Sequence, residues 1–168
     1  MLWWQASRLL LKKLLEFNSD QTPPQRLDLI YSSEPVYFVT FCTRNRQRIR
    51  NLLKAKVALE AYAQRGINEF GVALGRYVIM PDHVHLFVCG DPEFVLSTWV
   101  AGLKRAISKA LGMRGEFWQT TFFDHILRSD ESYPAKWEYV CENPVRAGLV
   151  REPEDWRYQG EPVVIDRV

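Results

Sequence analysis

The sequence predicts an α+β domain built around a four-stranded antiparallel sheet. Three observations carry that expectation: four short runs rich in β-branched and aromatic residues, two longer stretches with apolar residues at helical spacing, and their order of strand, helix, strand, strand, helix, strand. The first strand is residues 36–43, VYFVTFCT, a composition that fits a pleated, half-buried surface. Residues 51–67 follow, with Leu52, Ala55, Leu59 and Tyr62 recurring at the period of a helix. Residues 71–80 are a second strand, Pro81 and Asp82 mark a tight connection, and residues 83–89 are a third, so these two strands form a hairpin. Residues 92–111 repeat the helical pattern through Leu96, Val100, Leu103 and Ile107. Residues 117–127, aromatic and punctuated by polar side chains, make the fourth strand.

The order βαββαβ is that of a ferredoxin-like arrangement, with both helices on one face of the sheet and the other face open. A last helix is expected over that open face. Ser129 or Asp130 can cap it, and it runs through Tyr133, Trp137, Tyr139 and Val140 towards Asn143. Pro144 disfavours helical geometry in the residue before it, so the helix should end or kink near Asn143, and Gly148 suits the stop of a short further turn. From Arg151 onward, with Trp156 and Tyr158, the chain reads as irregular structure packed over the domain.

A chain of 168 residues, 47% hydrophobic and 25% charged, suits one globular domain with a substantial core. Residues 1–25, an amphipathic stretch followed by a linker with Pro23 and Pro24, read as an N-terminal extension; residues 26–168 read as the single domain. Cys42, Cys89 and Cys141 are odd in number and widely spaced, which fits a reducing cytoplasm and offers no structural zinc pair. Lys12 and Lys13 interrupt the apolar N-terminal segment, so neither export nor membrane insertion is expected. The net charge of +2 decides nothing about partners, but its distribution does. Between Glu34 and Glu60 no acidic residue occurs, while Arg44, Arg46, Arg48, Arg50, Lys54 and Lys56 all fall there.

Chemistry concentrates in the third strand. His83 and His85 flank one apolar residue, so on a strand both imidazoles and Phe87 share a face, with Val84, Leu86 and Val88 on the other. The apolar set belongs against the two helices and the histidine set on the open side. Two imidazoles held by a rigid strand begin a divalent-metal site that needs a further donor. Tyr139 and Asn143 lie four residues apart, hence on one helix face. Asn143 can offer its amide oxygen as third ligand, leaving positions open for a phosphate; this mixed nitrogen and oxygen set suits Mg²⁺ or Mn²⁺. Asn143 can equally cap the next turn. A tyrosine hydroxyl is a poor nucleophile unless its oxyanion is stabilised, and a metal beside it would do that while polarising the phosphorus.

His83-Val84-His85 resembles the His-hydrophobic-His signature of the HUH endonuclease superfamily, and Tyr139-Val-Cys-Glu-Asn143-Pro-Val-Arg-Ala-Gly-Leu resembles the tyrosine motif of its single-tyrosine transposases. The likeness is greatest to the REP-associated tyrosine transposase group, related to the transposases of the smallest bacterial insertion sequences. It extends over residues 34–158, with YFVTFCT, FFDHILR and DWRY as further points of similarity. The resemblance implies metal-dependent cleavage and joining of single-stranded DNA beside a short hairpin, through a 5′-phosphotyrosine link. Tyr139 then takes the place of the nucleophile, His83 and His85 those of metal ligands, and Asn143 that of the third ligand. Such proteins act as monomers or homodimers.

Several residues carry two readings. Arg44, Arg46, Arg48, Arg50 and Lys54 can grip DNA phosphates, with Lys104, Arg105 and Lys109 adding to that surface, or can form a solvated helix start. Trp118 and Phe122 can stack on unpaired bases or fill the core. His125 is read as a structural histidine, and Asp82 as a turn former or a second-sphere carboxylate. Two competing functions have the same residue content: a non-catalytic binder of single-stranded nucleic acid, and a metal-dependent nuclease that uses water.

Overall fold

The computed structural model describes residues 35–127 and 133–165. The predicted N-terminal extension and the Ser129 or Asp130 cap lie outside the described residues. Five strands form one antiparallel sheet: β1 (Tyr37–Cys42), β2 (Val72–Ile79), β3 (His83–Gly90), β4 (Phe123–Ile126) and β5 (Gln159–Gly160), in the order β4-β1-β3-β2-β5. Helices α1 (Leu52–Phe70) and α2 (Leu96–Ala110) follow β1 and β3, and α3 (Tyr133–Cys141) and α4 (Asn143–Arg146) follow β4. The predicted α+β order is therefore present.

Side-chain alternation sorts the sheet into two faces. Val39, Phe41, Tyr77, Val84, Leu86 and Val88 pack with Ala55, Leu59 and Ala63 of α1 and Leu96, Val100, Leu103 and Ile107 of α2. Asn51 starts α1 by accepting a hydrogen bond from the Lys54 N–H at 2.9 Å. Gly71 stops it with φ +60°, a left-handed conformation that suits glycine. On the second face Phe38, Val78, Met80, Phe87 and Cys89 meet Leu127, Tyr133, Val140 and Trp156.

Two expectations need correction. The sheet has five strands, not four: residues Gln159–Gly160, read as irregular, pair with Tyr77 and Val78 on the outer edge of β2. A two-residue strand leaves no alternation to detect in a sequence. The fourth strand is also shorter than residues 117–127. Trp118 makes a single bridge to Thr43 and turns into the core, where its indole N–H donates to the Lys104 carbonyl at 3.0 Å and to Ser108 Oγ at 2.9 Å. Ladder pairing resumes only at Phe123. The core reading of Trp118 is thus the observed one.

The tyrosine-bearing helix is anchored by its first residue. A register shift in β2 between Leu74 and Tyr77 frees the Arg76 backbone N–H, which donates to the Tyr133 hydroxyl at 3.1 Å. The Tyr133 ring packs edge-on against Phe87, centroids 4.8 Å apart, and Val140 is buried seven residues later. That pair sets the rotation of α3 over the sheet. The helix ends at Cys141, and Asn143–Arg146 forms the short turn expected around Pro144, closed by Gly148 at φ +68°.

Candidate functional site

His83 and His85 project from β3 on the face that α3 partly covers, their ring centroids 4.7 Å apart and nearly perpendicular. Each ring is held through the same nitrogen. His83 Nδ1 lies 2.6 Å from Asp82 Oδ1, and His85 Nδ1 lies 2.7 Å from Thr40 Oγ1, its cross-strand partner on β1. The Phe38 ring stacks parallel to His85 at 5.8 Å. With both Nδ1 atoms engaged, both Nε2 atoms are left for an outside partner. This is how metal-binding imidazoles are oriented, one nitrogen tied to an oxygen and the other presenting its lone pair.

Electrostatics agree with that role. Burial, reinforced by neighbouring His83, pushes the His85 imidazole well below the ordinary histidine range, with Asp82 opposing, so His85 is neutral at neutral pH. Burial works against the charge of Asp82, but the His83 hydrogen bond and Arg46 outweigh it and hold the carboxyl below its usual range. Arg46 Nη1 sits 3.1 Å from Asp82 Oδ2. Asp82 is therefore both the turn residue and the carboxylate behind His83, and Arg46 stands behind Asp82. Among the described residues no cluster of three or more His, Cys, Asp or Glu side chains forms a metal-binding group. A metal at the two histidines would take its remaining donors from an amide oxygen, water or substrate. The donor set fits a divalent cation that keeps open positions.

Tyr139 lies on a definite flank of α3. Trp137, beside Arg76 at 5.4 Å, faces β2, whereas Lys136 places Nζ 5.7 Å from the Phe38 ring of β1. Tyr139, three residues after Lys136, shares the Lys136 flank and thus the side on which Phe38 stacks against His85. It is 53% exposed. Arg146 returns over it: its guanidinium is 4.3 Å from the ring centre, and Nη1 donates to the Tyr139 carbonyl at 2.8 Å and to Asn143 Oδ1 at 3.1 Å. Asn143 Nδ2 is buried with no hydrogen-bond partner among the described residues. An amide oxygen has two lone pairs, so the Arg146 bond leaves Asn143 Oδ1 one for a further partner.

The basic residues separate into different environments. Arg44 pairs with Glu116 and Arg46 with Asp82. Arg48, Arg50, Asn51 and Leu52 line, with Ile49 and Tyr158, an open hollow of about 520 Å³. Lys54 and Arg105 are exposed on α1 and α2. Lys104 departs from the expected DNA surface: it is 8% exposed, and its Nζ donates to the Gln119 and Thr121 carbonyls at 2.8 and 3.1 Å. It also lies 5.6 Å from the rings of Phe41 and Phe122. Burial pushes its ammonium down to about 8. Lys104 thus holds the irregular segment before β4 onto α2, and Phe122 packs on it rather than standing free. Its spacing of four residues from Val100 on the buried stripe was the signal available in the sequence. His125 pairs in register with Phe38, on the histidine face. Thr40, Arg146 and Lys136 were not identified from the sequence. Thr40 was accessible to reasoning, because Phe38, Thr40 and Cys42 alternate onto that face.

The antiparallel α+β sheet thus carries paired histidines on one strand, with the helix that bears Tyr139 packed over the same face. The chain belongs to the family described as "Transposase IS200 like", whose model matches residues 32–137. That match ends two residues before Tyr139. The chain is 30% identical over 88 residues to the REP-associated tyrosine transposase of Escherichia coli (strain K12), covering 51% of this chain and 52% of that protein. It thus spans about half the length of this curated relative. Its fold is similar to that of a REP-associated tyrosine transposase solved bound to a REP hairpin, with a TM-score of 0.68 at 22% identity over 83% of this chain and 82% of the other. Among the described residues no helix is long and apolar enough to cross a membrane.

Proposed function

We propose that this protein cuts and rejoins single-stranded DNA at hairpin-bearing repeat elements through a covalent 5′-phosphotyrosine intermediate. The observation that carries the reading is the pair of imidazoles on one strand whose Nδ1 atoms are both bound, to Asp82 and Thr40; Nε2 of each ring is then the nitrogen with which it would meet a cation. His83 and His85, with Asn143 as third donor, would hold Mg²⁺ or Mn²⁺. Such a cation, when bound, polarises a phosphodiester and favours the departing alkoxide.

The chain's own residues do the rest. The Asp82 carboxylate accepts from His83 Nδ1–H and so sets the tautomer of that ring, and Thr40 holds the direction of the His85 ring. The Tyr139 oxygen attacks phosphorus and the bond to the 3′ oxygen breaks; the phenolic proton passes through solvent to that oxygen, leaving a free 3′ hydroxyl and a tyrosyl 5′-phosphate ester. Attack by another 3′ hydroxyl reverses the step, joins the strands and returns the proton to Tyr139. Because the ester conserves the phosphodiester, no nucleotide cofactor is required. Arg48, Arg50, Lys54 and Arg105 are proposed to contact DNA phosphates away from the reacting bond. The protein works as a monomer or homodimer in the cytoplasm.

The test is denaturing electrophoresis after incubation with hairpin-bearing single-stranded DNA and Mn²⁺. A protein-linked fragment that disappears in Tyr139→Phe, with DNA binding retained, is the expected result. Cleaved ends free of protein would indicate a nuclease using water, and binding without cleavage a recognition module; either would overturn the proposal. His83→Ala combined with His85→Ala should abolish cleavage, and cleavage by that variant in a chelator would refute the metal site.

A further inference from the structure

Arg146 has a geometry that neither its family motif nor the strand-cleavage reading explains. Nη1 has two hydrogens, and both are used, one on the Tyr139 carbonyl at 2.8 Å and one on Asn143 Oδ1 at 3.1 Å. The guanidinium plane is further held against the Tyr139 ring at 4.3 Å. Three contacts therefore immobilise a side chain that is exposed to solvent. Among the described residues no carboxylate pairs with it. Its Nε and Nη2 hydrogens, which together form the side-on edge of a guanidinium, make no hydrogen bond there.

An exposed arginine usually gains little from its surroundings because ordering a long side chain offsets the contact. Here the ordering is already achieved, and the edge left unused is the one that matches two oxygens of a carboxylate or phosphate. The contact with the tyrosine ring keeps the guanidinium that carries that edge 4.3 Å from the centre of the ring whose hydroxyl would attack. Asn143, just after the helix break, and the Tyr139 carbonyl exclude other orientations.

We propose that Arg146 is the phosphate receptor of the nucleophile: through Nε and Nη2 it binds non-bridging oxygens of the phosphodiester that Tyr139 attacks. Its position on the tyrosine ring couples substrate binding to nucleophile alignment, because the group that receives the phosphate packs on the ring that carries the attacking hydroxyl. This rests on the strand-cleavage reading and adds the residue that orients the reacting phosphate.

The experiment measures single-turnover adduct formation at saturating hairpin DNA for wild type, Arg146→Gln and Arg146→Lys. The scissile phosphate carries sulfur in either the Rp or the Sp position. Arg146→Gln should slow the adduct about 100-fold, the effect of deleting one preorganised donor to a reacting oxygen, while DNA affinity stays within about threefold because many other phosphates are contacted. Arg146→Lys should recover part of the rate, keeping the charge without the fork. The ratio of Rp to Sp rates should differ between wild type and Arg146→Gln. Slowing of both diastereomers by one factor would mean a purely structural role, and a wild-type rate in Arg146→Gln would mean no role; both overturn the proposal. Absence of any adduct from wild type would instead overturn the underlying function, and this inference with it. Matching thermal melting of the three proteins identifies folded variants.

Discussion

Asp82→Asn isolates the carboxylate that orients His83 without disturbing the turn that carries it. The main-chain oxygen of Asp82 accepts from the Thr43 N–H at 2.8 Å and from Thr43 Oγ1 at 3.0 Å, and the substitution preserves both bonds. What changes is the side chain, which now bonds His83 Nδ1 at 2.6 Å and Arg46 Nη1 at 3.1 Å through separate oxygens. Asparagine replaces one of these two oxygens with an NH2 group, so in this geometry it can turn its acceptor towards His83 or towards Arg46 but not both, and it no longer supplies negative charge to the imidazole. Removing an outer partner of a ligating histidine weakens metal binding by roughly 10–100-fold, about 1.4–2.7 kcal/mol. Asn, which can still accept one hydrogen bond, should fall near tenfold, and Asp82→Ala nearer 100-fold. Calorimetric titration of Mn²⁺ into wild type and both variants measures this directly. If both variants bind within twofold of wild type, Asp82 does not orient a metal ligand and the argument from Nδ1 tethering fails.

Other outcomes follow from the same geometry. His85 is held neutral by burial, so below the ordinary imidazole value near 6.5 the unfolded chain takes up a proton that the native site refuses; metal-free stability should decline with falling pH there. His85→Gln should flatten that slope in urea titrations below about pH 6.5, and an unchanged slope would refute it. Lys104→Met should leave single-strand affinity within about twofold, whereas Arg48→Ala with Arg50→Ala should reduce the salt-dependence slope by about 1.4, measured by fluorescence anisotropy across salt. Equal losses in the two variants would contradict the buried placement of Lys104. Leu59, fully buried under the sheet, should cost about 2–5 kcal/mol on change to Ala, read from urea unfolding.

Much of this arrangement is legible in the residues because burial imposes periodicity. Val84, Leu86 and Val88 alternate, and all three are buried against the helices, which turns His83 and His85 to the opposite face as expected. Leu59, Leu96, Val100, Leu103 and Ile107 mark their helices for the same reason. Pro144 announced the break after Tyr139 through its own covalent geometry. The less legible features depend on partners distant in sequence. Lys104 was read by its charge, although its environment is set by carbonyls 15 and 17 residues away. Strand β5 exists only because β2 offers an edge, and Arg146 acquires its orientation only once the chain has turned back over Tyr139. Apolar patterning cannot report such contacts.

The Thr43–Asp82 bonds have a further mechanical consequence. Thr43 directly follows β1 and Asp82 directly precedes β3, and a second tie runs from the Ile49 N–H to the Pro81 carbonyl at 2.6 Å. The arginine-bearing loop is consequently riveted at both ends to the turn that launches His83. Through these bonds the loop is braced against the base of the strand that carries the two imidazoles. An insertion between Thr43 and Ile49 therefore has to be absorbed within that loop, or the bonds that brace it against the base of the histidine strand are lost.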